Sequence, residues 1–138
     1  MIVSVTIPGE PVGQGRPRAT TVGGFTRMYS PKRSAKWRKM AAGYMKAACR
    51  SPLLGPLEVT MTAVFTFPKS KVRKRTPSVN HVPCCKRPDI DNVVKAVLDA
   101  GNEVLWLDDA QVWKLEVTKV YGREGEEPSV ILQVKGES

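Results

Sequence analysis

Residues 86–112, "KRPDIDNVVKAVLDAGNEVLWLDDAQV", decide how the rest of the chain is read. Ile90, Val93, Val94, Val97 and Leu98 recur at helical spacing, which predicts an amphipathic helix from Asp89 to about Glu103 with that stripe buried. Pro88 disfavours a helical conformation at Arg87 and suits a helix entrance, so Asp89 is expected at the N-cap and Asp91 in the first turn. Inside a continuous helix these two aspartates would stand about 200° apart around the axis. With Asp89 at the cap, both carboxylates can turn toward one point. Lys95 and Asp99 follow Asp91 at i+4 and i+8, facing out of the core. Asp108-Asp109 follows the apolar run "VLW" and precedes a strand, so it belongs in the turn that returns the chain from helix to sheet.

Outward from this helix the chain reads as one domain over residues 1–138. "IVSVTI" (2–7) alternates as a strand and stops at Pro8-Gly9. Residues 8–30 form a long glycine-rich connection, and one of this length is functional or holds a hairpin. Ser30-Pro31 suits the start of a helix whose buried stripe is Trp37, Met40, Ala41, Tyr44, Met45 and Ala48. "LEVTMTAVFTF" (57–67) predicts a central strand. Residues 68–88 hold four prolines and no acids and read as a basic loop. "QVWKLEVTKVYG" (111–122) and "SVILQV" (129–134) are the last two strands. The order β-α-β-α-β-β predicts an α+β fold, a mixed sheet with two helices packed on it. Trp106 and Trp113 are both assigned to the core.

Composition narrows the function. A hydrophobic fraction of 41% and a charged fraction of 25% are those of an ordinary globular protein. No apolar run approaches a bilayer span, and "MIVSVTIPGE" has no leader pattern, so no membrane partner is expected. Three cysteines, Cys49, Cys84 and Cys85, do not make a disulfide framework and suit a reducing cytoplasm. "HVPCC" (81–85) lacks the paired spacing of structural zinc sites and reads as a loop histidine with two semi-buried thiols. Net charge is +9, split as +15 over residues 1–88 (17 basic, two acidic) and −6 over residues 89–138 (five basic, 11 acidic). A basic half of this strength suggests a nucleic-acid partner. Arg16, Arg18, Lys69, Lys71, Arg73, Lys74, Arg75, Lys86 and Arg87 are its candidate phosphate contacts, which position the polyanion without reading its sequence.

Several carboxylates with no accompanying histidine or thiolate ligand favour a hard cation such as Mg²⁺. Such an ion can activate water against a phosphodiester, and Lys95 could hold that water or counter the developing charge. Taken singly, Asp89 could be only a cap, Asp91–Lys95 only an i,i+4 pair, and Asp108-Asp109 only turn residues. A non-catalytic DNA-binding module therefore stands as a competing reading.

"RPDIDNVVKAVLDAGNEVLWLDDAQV" closely resembles the motif region of the RusA-like Holliday junction resolvases, in which D-x-D-N-x-x-K at a helix start is followed by D-D-x-Q-V before a strand. "RPR" after a glycine-rich turn, "YSPK" before the first helix and the basic loop ahead of the aspartates extend the resemblance over most of the chain. It implies that Asp89, Asp91 and Asp109 bind metal and are catalytic, that Lys95 is the catalytic lysine, and that Asp108 is a supporting carboxylate. It also implies a homodimer that uses Mg²⁺, with Mn²⁺ as a substitute and no small-molecule cofactor. Such a dimer places paired nicks in four-way DNA junctions, hydrolysing the phosphodiester with metal-bound water. A nuclease of the same chemistry acting on flaps or other branched nucleic acid is the nearest alternative.

Overall fold

The computed structural model describes residues 1–14, 18–22, 25–29, 32–68 and 81–136, with the backbone alone for 18–22 and 25–29. Strand β1 (Ile2–Pro8) buries Val3, Val5 and Ile7 and exposes the residues between them, as its alternation predicts. A hairpin of β2 (Arg18–Val22) and β3 (Phe25–Tyr29) occupies the long glycine-rich connection, paired from Arg18 opposite Tyr29 to Val22 opposite Phe25. Helix α1 (Lys32–Ala48) leads to β4 (Leu57–Phe65), and a two-residue β5 (Val82–Pro83) precedes α2 (Ile90–Gly101). A 3₁₀ turn (Asp109–Gln111) opens into β6 (Val112–Tyr121), and β7 (Ser129–Gly136) ends the fold.

The main sheet runs β1-β7-β4-β6-β5. Every neighbouring pair is antiparallel except β4 and β6, which are parallel. Parallel neighbours need a crossover, and α2 supplies it. The expected α+β architecture is therefore present: a mixed sheet carrying two helices, with the hairpin and the minimal β5 added to the predicted order. A two-residue strand is too short to leave a periodic signal.

Among the described residues the larger of two apolar clusters joins sheet and helices, and the smaller holds Ala63, Phe65, Cys84, Val93 and Tyr121. Val59 and Met61 of β4, with Leu132 and Val134 of β7, pack with Trp37, Ala41 and Met45 of α1 and Ala96, Val97 and Ala100 of α2. Five residues depart from the expected burial. Met40, Tyr44 and Ala48 lie on the solvent side of α1, which seats itself through the narrower line Ser34–Trp37–Ala41–Met45. Ile90, the first residue of α2, is 45% exposed. Trp106 is fully buried, but Trp113 is 64% exposed; it is the extra residue of a bulge at the start of β6, where Leu57 pairs with Val112 and Glu58 with Lys114. Among the described residues no helix is long and apolar enough to cross a membrane. Cys84 is buried, Cys85 exposed and Cys49 between the two; all three are free thiols.

Candidate active site

Asp89 is the N-cap of α2, with extended backbone (φ −64°, ψ 152°), and its carbonyl accepts the first helical bonds from the N–H groups of Asn92 and Val93, both at 3.1 Å. An aspartate at this position ordinarily spends its side chain on an orphan N–H of the first turn. Here the carboxylate makes no capping bond. Asp89 and Asp91 are both exposed, so two negative charges stand at the positive end of the helix dipole with their oxygens facing water. Lys95 is exposed one turn further on, and among the described residues it forms no ion pair with Asp91 or Asp99.

The approach to Asp89 is a groove of about 480 Å³. Its walls include the cations Arg33, Lys86 and Arg87 and the carboxylate of Glu10. The segment before the hairpin builds the floor. Gln14 N–H donates to the Asn92 carbonyl at 2.9 Å, and Arg38 Nη1 donates to Gln14 Oε1. A side chain at residue 13 would not fit, because a Cβ on Gly13 would lie 2.6 Å from that of Pro88 and 3.2 Å from that of Asn92. Arg87–Pro88 is a cis peptide. Lys86 reaches Glu10 at 3.6 Å and lies 5.4 Å from the centre of the Phe65 ring, where Lys119 also sits at 5.6 Å.

A different construction holds the second acidic pair. Trp106 fills the space beside Gly101, where any Cβ would run into its ring, and its indole N–H reaches Asn102 Oδ1 at 3.0 Å and the Leu98 carbonyl at 3.3 Å. Asp108 caps the 3₁₀ turn, accepting from Ala110 N–H at 3.0 Å. Gln111 completes that turn. Its Oε1 accepts from the N–H groups of Leu107 (2.8 Å) and Asp108 (3.1 Å), while its Nε2 donates to the carbonyls of Leu53 (2.9 Å) and Gly55 (3.0 Å). Asp109 is half-buried behind this clamp. Burial above all, then a hydrogen bond with Asp108, pushes its carboxyl above the ordinary value against an opposing bond from Asn102; the charges of Asp108 and Asp99 push the same way as burial.

The five aspartates thus form two groups joined by one helix. Asp89 and Asp91 sit at its entrance, with Lys95 beyond them. Asp109 sits with Asp108, Asn102 and Asp99 at its exit, and eight residues of helix separate Asp91 from Asp99 by about 12 Å. Among the described residues no three Asp, Glu, His or Cys side chains are grouped as a metal would need. Among the described residues Asp99 forms no ion pair with Lys95, and its charge acts weakly on Asp109. Of the candidate phosphate contacts, Lys86 and Arg87 line the groove; Arg16, Lys69, Lys71, Arg73, Lys74, Arg75 and the side chain of Arg18 lie outside the described residues. Glu10, Gly13, Gln14, Arg33, Asn102 and Gln111 were not singled out from the sequence. The Q of "DDAQV" was the one visible signal, since a glutamine three places after an aspartate is the mark of a capping box. His81 does not reach the thiols; its Nε2 meets Glu126 Oε1 at 2.8 Å.

Two comparisons bear on this geometry. The chain matches the family described as Endodeoxyribonuclease RusA over residues 8–135. It is also 33% identical over 140 residues to the uncharacterized protein YqaN of Bacillus subtilis (strain 168), covering 96% of this chain and 95% of that protein. The chain belongs to the RusA endodeoxyribonuclease family, and its enzymatic class is that of a nuclease.

Proposed function

We propose that the protein is a Mg²⁺-dependent, structure-selective endonuclease of the cytoplasm that resolves four-way DNA junctions by paired nicks. The observation that carries this reading is the uncapped, exposed Asp89 carboxylate in a groove walled by Arg33, Lys86 and Arg87, with Asp91 exposed two residues further on. The donor set fits the ion. Mg²⁺ is held by one or two carboxylates together with waters and substrate phosphate, and the entrance of α2 offers two exposed carboxylates, with His81 turned to Glu126. Asp89 and Asp91 would hold it, with Asp109 as the third carboxylate of the family motif; Mn²⁺ would substitute. When bound, the ion supplies positive charge against the phosphodiester and lowers the pKa of water.

The chain's own residues do the rest. Arg87 and Lys86 hold phosphates flanking the scissile one, fixing the strand in register with Asp89. Lys95, unpaired with Asp91 and Asp99, presents its ammonium to the charge that develops on the phosphate oxygens. Asp108 keeps the 3₁₀ turn closed beneath Asp109. A four-way junction is approximately two-fold and is cut in two opposed strands, so the working unit is a homodimer with one aspartate set per chain.

A labelled synthetic four-way junction, incubated with and without Mg²⁺ and mapped on all four strands, tests the reading. Nicks at symmetric positions in one opposed pair of strands, present only with metal, are expected. Preferential cutting of flaps or hybrids would move the substrate within the same chemistry. Absence of cutting on every branched structure, with binding retained, would leave a DNA-binding module instead.

A further inference from the structure

Val117, Lys119 and Tyr121 of β6 stand level with Met61, Ala63 and Phe65 of β4, on the face that carries the helices. The three β4 residues and Tyr121 are buried. Alternation along the strand therefore calls for an apolar side chain at 119, and the chain places a lysine there. A lysine is kept in such a place where its stem covers apolar surface and its ammonium has a partner. Lys119 is half-buried, and among the described residues it forms no ion pair. Its Nζ donates instead to the Lys86 carbonyl at 2.6 Å and lies 5.6 Å from the centre of the Phe65 ring. The main chain of Lys119 grips the same segment, since its carbonyl accepts from Cys84 N–H at 3.0 Å. β5 pairs with β6 only at Val82 and Pro83, and among the described residues no main-chain bond holds Lys86 or Arg87. The lysine side chain therefore reaches past the end of the ladder and takes hold of the chain three residues before Asp89. It also lines one notch with Asp89 and Ile90.

We infer that Lys119 is a positioning residue for Asp89. By fixing the Lys86 carbonyl it sets the path of Arg87 and Pro88 into α2, and so the place at which the uncapped Asp89 carboxylate stands relative to Asp91. The choice of acceptor matters. An ion pair with Asp89 would set the ammonium in competition with a bound cation, whereas a bond to a carbonyl holds the segment and leaves the carboxylates unspent. Lys86's own ammonium is directed elsewhere, to Glu10 at 3.6 Å, so residue 86 is located separately by its carbonyl and by its side chain. The role of Lys119 rests on the reading of Asp89 as a metal-binding carboxylate proposed above, and adds the residue that keeps it in place.

Titration of the full chain with Mn²⁺ in the absence of DNA, read from the paramagnetic resonance of the free ion, tests this apart from cutting. Lys119→Met keeps an apolar stem beside Phe65 and removes the donor. It is expected to weaken Mn²⁺ binding about tenfold and to raise the Mg²⁺ needed for half-maximal junction cutting by a similar factor. Lys119→Ala is expected to give the same shift, while Lys119→Arg, which can still donate to the carbonyl, stays within about threefold of the parent. Lys114→Met removes the same charge from the opposite face of β6 and is expected to change neither readout. The sign is decisive. Loss of a cation near two carboxylates would by charge alone tighten the ion, so tighter or unchanged Mn²⁺ binding in Lys119→Met overturns the assignment, whatever its melting temperature. Junction affinity without metal is expected to stay within about threefold of the parent; a larger loss with a shallower salt dependence makes Lys119 a phosphate contact and also overturns it. A parent chain that binds no Mn²⁺ and cuts no junction overturns the metal reading of Asp89 together with this one.

Discussion

The two ends of α2 carry the same functional group in opposite conditions. At the entrance, Asp89 and Asp91 are exposed, and the Asp89 side chain declines the capping bond open to it. At the exit, Asp108 caps its turn, Gln111 makes four hydrogen bonds around it, and Asp109 is half-buried against Asn102. Carboxylates left out of the protein's own hydrogen bonds remain available to something else. Those tied in fix the shape of the chain. The entrance is built for a ligand, and the exit is built first for position.

The largest effect expected from this contrast is at the entrance. Asp91→Asn should lower junction cutting by about a thousandfold or more, roughly 4 kcal/mol of activation free energy, while junction binding and the melting temperature stay as they were. Single-turnover cutting, with binding measured in parallel, decides it; surviving cutting would erase the distinction between the ends. At the exit the cost should fall on stability instead. Gln111→Ala strands the carbonyls of Leu53 and Gly55 and the N–H groups of Leu107 and Asp108, and urea unfolding should register a loss of about 2 kcal/mol. An unaltered urea midpoint would mean that the clamp is ornamental.

Arg87→Ala sharpens the electrostatic side of the comparison. Affinity for branched DNA should drop about tenfold at moderate salt, and the slope of log K against log salt should become shallower by about one. A loss that does not change with salt would point to a lost shape and not a lost phosphate contact.

The smallest effect belongs to a carboxylate at neither end. The Arg123 N–H and then His81 hold Glu126 below the usual carboxylate range. A depressed folded-state value stabilises above the unfolded value and is lost as pH falls through the folded one. Glu126→Gln should therefore cost about 0.5–1 kcal/mol at neutral pH and nothing at a pH below both values. Thermal melts of both proteins across that range should converge at the acid end.

What could be read from the sequence was local. Pro88, the spacing Ile90–Val93–Val97 and the position of Asp89 sufficed to place α2 within two residues and to put Asp91 in its first turn. The 3₁₀ turn under Asp108 was equally near in the chain. The surroundings of these residues were hidden because they depend on distant partners. The groove exists because Gly13 closes on Pro88 and Asn92. The path of the chain from α2 to Asp108-Asp109 runs through Trp106, whose ring fits only against a residue without a Cβ at position 101. Trp113 was misassigned to the core for a related reason: composition marks a tryptophan as a core residue, but only the pairing of β6 with β4 shows that this one is the extra residue of a bulge. The stripe of α1 was drawn too wide because periodicity gives a face, not the area that face covers.

The crossover through α2 also limits how the gene can change length. A residue inserted between Asp91 and Asp99 would turn everything downstream by about 100° and push it about 1.5 Å along the axis, separating the entrance group from the exit group in angle as well as in distance. Compensation would have to fit Trp106 against a different residue, and at position 101 any Cβ would run into its ring. Insertions and deletions should therefore be purged from this helix as strictly as substitutions of its aspartates. The Arg123–Pro128 connection between β6 and β7, where Gly125 already carries a positive φ of 86°, is the place to look for family members of unequal length.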